Sequence, residues 1–209
     1  MFGHEHTELD KGLDAFAARN WRKARRLLED AVAEDDRAVG HYHLGLLYWR
    51  GLGGDKDHKA AVRCFARAAD GGHAAAQTAL GMAILAGVGA PQSETEARAL
   101  FRHAAGAGDV EAMTQLAALS EHHDAMALLR RAADEGHPPA MRELSGRLLK
   151  DDPVEALGWL YVHVGLTGDH TVSHYAEKLA REMRADEISE AQKFGRGVMK
   201  RLKQEKRTR

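Results

Sequence analysis

The chain of 209 residues holds one cysteine, Cys64, so no internal disulfide can brace it. A single thiol suits a reducing compartment. Prolines number only 4 and aromatic residues only 6%. β-Branched residues are also sparse, which argues against a sheet protein. No apolar run approaches the roughly 18 residues of a membrane span. The opening Met1-Phe2-Gly3-His4-Glu5-His6 has neither the basic region nor the apolar run of a leader, so a cytoplasmic chain with no membrane partner is expected. An excess of one charge is missing too. The formal net charge is −1, so no global field draws in nucleic acid or membrane.

Familiar catalytic signatures are equally absent. There is no Gly-x-Ser-x-Gly elbow, Walker loop, His-Glu-x-x-His or cysteine pair, and a non-enzyme with no cofactor is expected. Gly51-x-Gly53 and Gly87-x-Gly89 follow no strand and recur at a fixed period, which makes them helix breakers rather than dinucleotide loops. Among 13 histidines, His170 and His174 lie one helical turn apart. They are the pair nearest to metal-ligand spacing, but no third ligand accompanies them and no metal site is expected. Cys64 sits beside Phe65 on an apolar helix face and reads as a packed residue, not a reactive thiolate.

What the chain has is alanine, leucine and repetition. The segment FARAADGGH from Phe65 returns as FRHAAGAGD from Phe101 and LRRAADEGH from Leu129, with a looser YVHVGLTGD from Tyr161. A second element, His43-Leu44-Gly45, returns at Ala79-Leu80-Gly81, Gln115-Leu116-Ala117 and Glu143-Leu144-Ser145. The offset is 36 residues from Leu44 to Leu80 and falls to 28 further along. Each copy reads as helix, loop, helix, tight turn. Ala38 to Arg50 carries apolar residues at helical spacing, Gly51 to Gly54 break it, and Asp57 starts the second helix. Ser93 to Glu96 has the form of a capping box, and Asp152-Pro153 that of a capped start with Pro at the first helical position. Ala68, Ala104 and Ala132 are the expected points of close helix contact. His73, Asp109, His137 and Asp169 share one repeat position after a glycine, where a turn or cap role is expected.

These residues resemble the Sel1-like repeat, a variant of the tetratricopeptide repeat. The resemblance rests on LGLLYWRGLGG from Leu44, then Asp57, then the Ala-Ala-x-Gly-Gly close. It implies an all-α fold, a right-handed superhelical solenoid of antiparallel helix pairs. Residues 1–209 would form a single repeat domain. A tetratricopeptide-like pair would span 5–36, and Sel1-like repeats 37–73, 74–109, 110–137 and 138–169. Capping helices would fill 170–205.

In such arrays the first helix of each pair lines the concave face. The resemblance therefore implies a partner-binding groove built from Leu13, Phe16, Tyr42, Leu46, Trp49, Thr78, Met82, Leu85 and Arg142. Its N-terminal half is aromatic and apolar, its C-terminal half more polar. Some of these side chains would instead fill the core between helices, and Trp159 is expected mainly there. The expected function is a non-catalytic scaffold or adaptor that captures a protein or peptide segment, as bacterial members of the family do in signalling, assembly or envelope roles. Two other readings remain open. One is self-association as a homo-oligomer. The other is contact with an acidic surface or nucleic acid through the basic end: Lys193, Arg196, Lys200, Arg201, Lys203, Lys206, Arg207 and Arg209. Nucleic acid is disfavoured because no aromatics interleave to stack bases.

Overall fold

The computed structural model of the chain describes residues 7–34 and 36–208, apart from the side chain of Lys206. Glu5, His6 and Asp35 of the expected first pair, and Arg209 and the Lys206 side chain of the basic end, lie outside the described residues. All regular structure among the described residues is α-helical. The helices are α1 (Glu8–Ala17), α2 (Trp21–Glu34), α3 (Ala38–Arg50), α4 (His58–Asp70), α5 (Ala74–Ala86) and α6 (Glu94–Gly106). They continue as α7 (Val110–Ala118), α8 (His122–Asp134), α9 (Pro138–Leu148), α10 (Pro153–Thr167), α11 (His170–Arg181) and α12 (Ala185–Thr208). The chain divides into two compact units, Met1–Ala112 and Met113–Arg209.

In the first unit, small residues set the spacing of the pairs. Gly45 of α3 faces Phe65 of α4, and Gly81 of α5 faces Phe101 of α6. A Cβ on Gly45 would lie 2.6 Å from the Phe65 ring, and one on Gly81 2.7 Å from the Phe101 ring. Both rings are buried, which adds about 1.5–3 kcal/mol each. Trp49, one turn beyond Gly45, meets His58 at the opposite end of α4, so the pair runs antiparallel. Ala68 and Ala104 have no exposed surface, as contact points require.

The loops repeat as closely as the helices. Gly51 ends α3 at φ 67° and Gly87 ends α5 at φ 68°, both left-handed. The next amides, Leu52 and Val88, donate back to Leu47 O and Ala83 O at 2.9 Å, closing the last turn. Asp57 then caps α4 by accepting from Ala60 N at 2.9 Å. That bond is the main reason its carboxyl lies below the ordinary value. Ser93 accepts from Glu96 N at 3.3 Å, the first half of the expected box. The full reciprocal box occurs instead at α1, between Thr7 and Asp10.

The second unit centres on α10. Asp152 caps it at Glu155 N, and Pro153 occupies the first turn. Trp159 is buried, as expected, with its indole N–H donating to Glu155 at 3.1 Å. Glu155 also accepts from both terminal nitrogens of the Arg130 guanidinium, at 2.5 and 2.9 Å. α12 lies parallel to α10: Gly158 faces Phe194, and Gly165 faces Met199. Gly195 backs onto Gly158, where an added Cβ would lie 3.3 Å from the Gly158 carbonyl oxygen. α8 and α9 flank this core, with Ser145 of α9 buried and donating to Ala156 O at 2.9 Å. No described helix is long and apolar enough to cross a membrane.

Candidate partner-binding face

In the first unit, rings from successive helix pairs touch in a row. Phe16 of α1 meets His43 of α3 edge-on at 4.8 Å. His43 meets its neighbour Tyr42 at 5.3 Å, and Tyr42 stacks on His73, the residue that caps α5, at 4.5 Å. All four rings are half-buried. Chain geometry fixes two of the imidazoles. His43 Nδ1 lies 2.8 Å from Val39 O, a carbonyl that only accepts, so that nitrogen carries the proton. His73 Nδ1 accepts from Ala76 N at 3.3 Å, which leaves the proton on Nε2.

The electrostatics follow from this packing. Burial, then repulsion from His43, holds His73 below the ordinary histidine value. Burial, then the nearby Asp109 carboxylate, raises the Tyr42 phenol above its usual value, with Arg50 opposing. Tyr42 and His73 therefore present neutral rings near pH 7.

Of the expected groove residues, Leu13, Phe16, Tyr42, Leu46, Trp49 and Leu85 are half-buried. Met82 is open to solvent, with 41% of its surface exposed. Trp49 divides its surface between the two readings, because it also rests edge-on against His58 at 4.5 Å and near Phe65. Thr78 departs from the expectation, being 4% exposed. Its hydroxyl lies 3.1 Å from both Ala74 O and Asp109 Oδ1, and its one proton serves these acceptors in turn. Asp109 also accepts from Ala112 N at 2.8 Å. The capping residue of the following helix therefore closes over Thr78, as His73 closes over Tyr42. Sequence spacing gave His73 and Asp109 a cap role but missed this cover, and it read His43 as part of a repeat element without placing it in the groove. The usable signal was the shared 36-residue step from Tyr42 to Thr78 and from His73 to Asp109.

Arg142 lies in the second unit. It lines a cavity of about 530 Å³ with Leu160, Asp169, Val172 and the exposed Tyr175. Asp169 caps α11 at Thr171 N and Val172 N, and the Val172 bond is the first cause of its lowered pKa.

His170 and His174 are exposed on α11. Among the described residues, no group of three or more His, Cys, Asp or Glu is placed to hold a metal ion. Cys64 is half-buried, and burial pushes its thiol up to about 11, so it carries little thiolate at neutral pH.

Comparison with known proteins gives the fold a name. The Sel1 repeat family matches residues 38–73, 74–109 and 110–137. A Sel1 repeat protein from Oxalobacter formigenes has a similar crystal structure, with a TM-score of 0.74 at 24% identity, covering 95% of this chain and 87% of that one. The protective antigen c5321 of uropathogenic Escherichia coli strains, described as displaying an SLR fold, superposes with a TM-score of 0.65 at 18% identity. That match covers 92% of this chain and 53% of the antigen. No curated protein matches the chain in sequence.

Proposed function

From the premise that this chain carries three Sel1 repeats, we propose that it is a non-catalytic interaction module that holds a segment of a partner protein. The binding face is formed by α1, α3 and α5. The observation that carries this reading is the row Phe16, His43, Tyr42 and His73, with Met82 exposed on the next helix. A half-buried aromatic row offers large contact area at small entropic cost, since its rings are already held by their neighbours. Peptide and helix ligands are anchored by a few such residues rather than by the whole contact area.

Tyr42→Ala and Met82→Glu test the face with the smaller disturbance: Tyr42 and Trp49 both lie near Phe65, but Trp49→Ala would also remove the edge-on packing on His58. Wild-type and Tyr42→Ala/Met82→Glu chains are immobilised and exposed to lysate of the native cell, after circular dichroism shows equal helicity. A protein held by the wild type should be lost from the double variant, with affinity weakened about 10-fold or more. Equal retention would remove this face as the site. Light scattering distinguishes a second copy of the chain as the bound partner.

A further inference from the structure

The second unit carries a different surface. Alongside α12 lies an open cavity of about 670 Å³. Its apolar lining includes Tyr161 of α10 and Met199 of α12. Its rim includes Arg196, Lys200, Lys203 and Arg207, spaced four, three and four residues apart on one face of α12. That row spans about 16 Å at the helical rise.

Three observations bear on what fits there. First, the rim charges are unspent. Arg201, on another face of α12, pairs with Asp134 at 2.5 Å, but among the described residues none of the four rim cations joins an ion pair. Second, α12 outruns its neighbour. Met199 already faces Gly165, close to the end of α10 at Thr167, while α12 continues to Thr208. Lys203 and Arg207 therefore stand on turns that α10 does not cover. Third, Tyr161 and Met199 give the cavity an apolar floor between polar side chains, and only Tyr161 among its described lining residues is aromatic. One ring gives little to stack bases upon.

We propose that this cavity docks an amphipathic acidic helix of a partner protein. Apolar side chains would enter between Tyr161 and Met199, and carboxylates at helical spacing would meet the four cations. Rim charges of this kind raise association rate and fix orientation, while the apolar anchor holds the complex. The surface shares no residue with the face formed by α1, α3 and α5, so either proposal can fail without the other.

The test uses the full chain and a fluorescein-labelled helical peptide of about four turns. The peptide carries Glu at i, i+4, i+7 and i+11, with Leu along the adjoining edge. Anisotropy should rise on binding and fall with added salt. Lys200→Glu/Lys203→Glu should weaken binding at least about 10-fold, and Met199→Gln should weaken it too, while Met82→Glu leaves it unchanged. Both lysines are exposed, so the double variant does not put the fold at risk. No binding by the Glu/Leu peptide would overturn the proposal, as would binding insensitive to the lysine changes. Equal binding of a Leu→Ser peptide, or of a single-stranded DNA oligonucleotide, would also overturn it, by exposing a general polyanion surface.

Discussion

Residues 38–73 and 74–109 are two copies of one plan, and comparing them separates framework from surface. Their loops are nearly superimposable in conformation: Gly51 and Gly87 at φ 67° and 68°, Gly53 and Gly89 both at φ 77°. Their helix contacts are the same glycine against the same phenylalanine. Their outward positions are not the same. Tyr42, Leu46 and Trp49 in the first copy become Thr78, Met82 and Leu85 in the second. Even the covering residue changes, from the His73 ring to the Asp109 carboxylate. The positions that repeat build the solenoid, and those that vary are the ones the proposed binding face draws on.

The comparison breaks most severely at the shared loops. A Cβ on Gly53 would run into the Trp21 carbonyl, and one on Gly89 into the His58 carbonyl. Both are backbone atoms of the preceding pair, and both glycines are left-handed. Gly53→Ala and Gly89→Ala should each cost about 3 kcal/mol, from overpacking added to left-handed strain. Gly72 is a control at φ 77° with nothing near its Cβ position, and Gly72→Ala should cost only about 1 kcal/mol. Denaturant midpoints check all three. Equal losses at Gly53 and Gly72 would mean that the close approach between pairs contributes nothing.

Next in size are Gly45→Ala and Gly81→Ala, which push on buried rings rather than on backbone. Each should cost about 1–3 kcal/mol, and the two losses should agree within the error of the method. A clear difference would show that the two copies are not mechanically alike.

The smallest effect concerns the two covering residues. His73 is depressed in the folded chain, so folding favours its neutral form. The stability this adds is complete above the unfolded value of about 6.5 and is lost as pH falls through the folded value. His43 and Asp109 are the titratable neighbours that set the balance. His73→Asp gives the first copy the cap of the second, so it should keep the cap, worth about 1 kcal/mol, and lose this share of acid sensitivity. Urea midpoints between about pH 7.5 and pH 5 measure it. An unchanged pH profile in the variant would remove His73 as a contributor.

Much of the framework was legible in the sequence because its causes are local. Asp57, Ser93 and Asp152 cap where their spacing to the helix places them, and Gly51 and Gly87 end helices where the apolar period stops. The surface was harder to read because its causes are not local. Whether position 78 is open depends on Asp109, a residue 31 positions away. Trp49 is divided between face and core by His58, which no helical period predicts. The cavity beside α12 requires that helix to lie parallel to α10, a fact carried by Gly158, Gly165 and Gly195 together. The basic residues there were visible in the sequence, but their apolar lining was not.

The most direct test of the account turns the first copy's surface into that of the second. Tyr42→Thr/Leu46→Met/Trp49→Leu leaves Gly45, Gly51, Gly53 and Phe65 in place. Unfolding and partner capture are then measured on the same preparation. The account predicts a denaturant midpoint only modestly lowered, by the share of Trp49 that packs on His58, together with loss of the partner held by the wild-type chain. A variant that still holds that partner at undiminished affinity would contradict it.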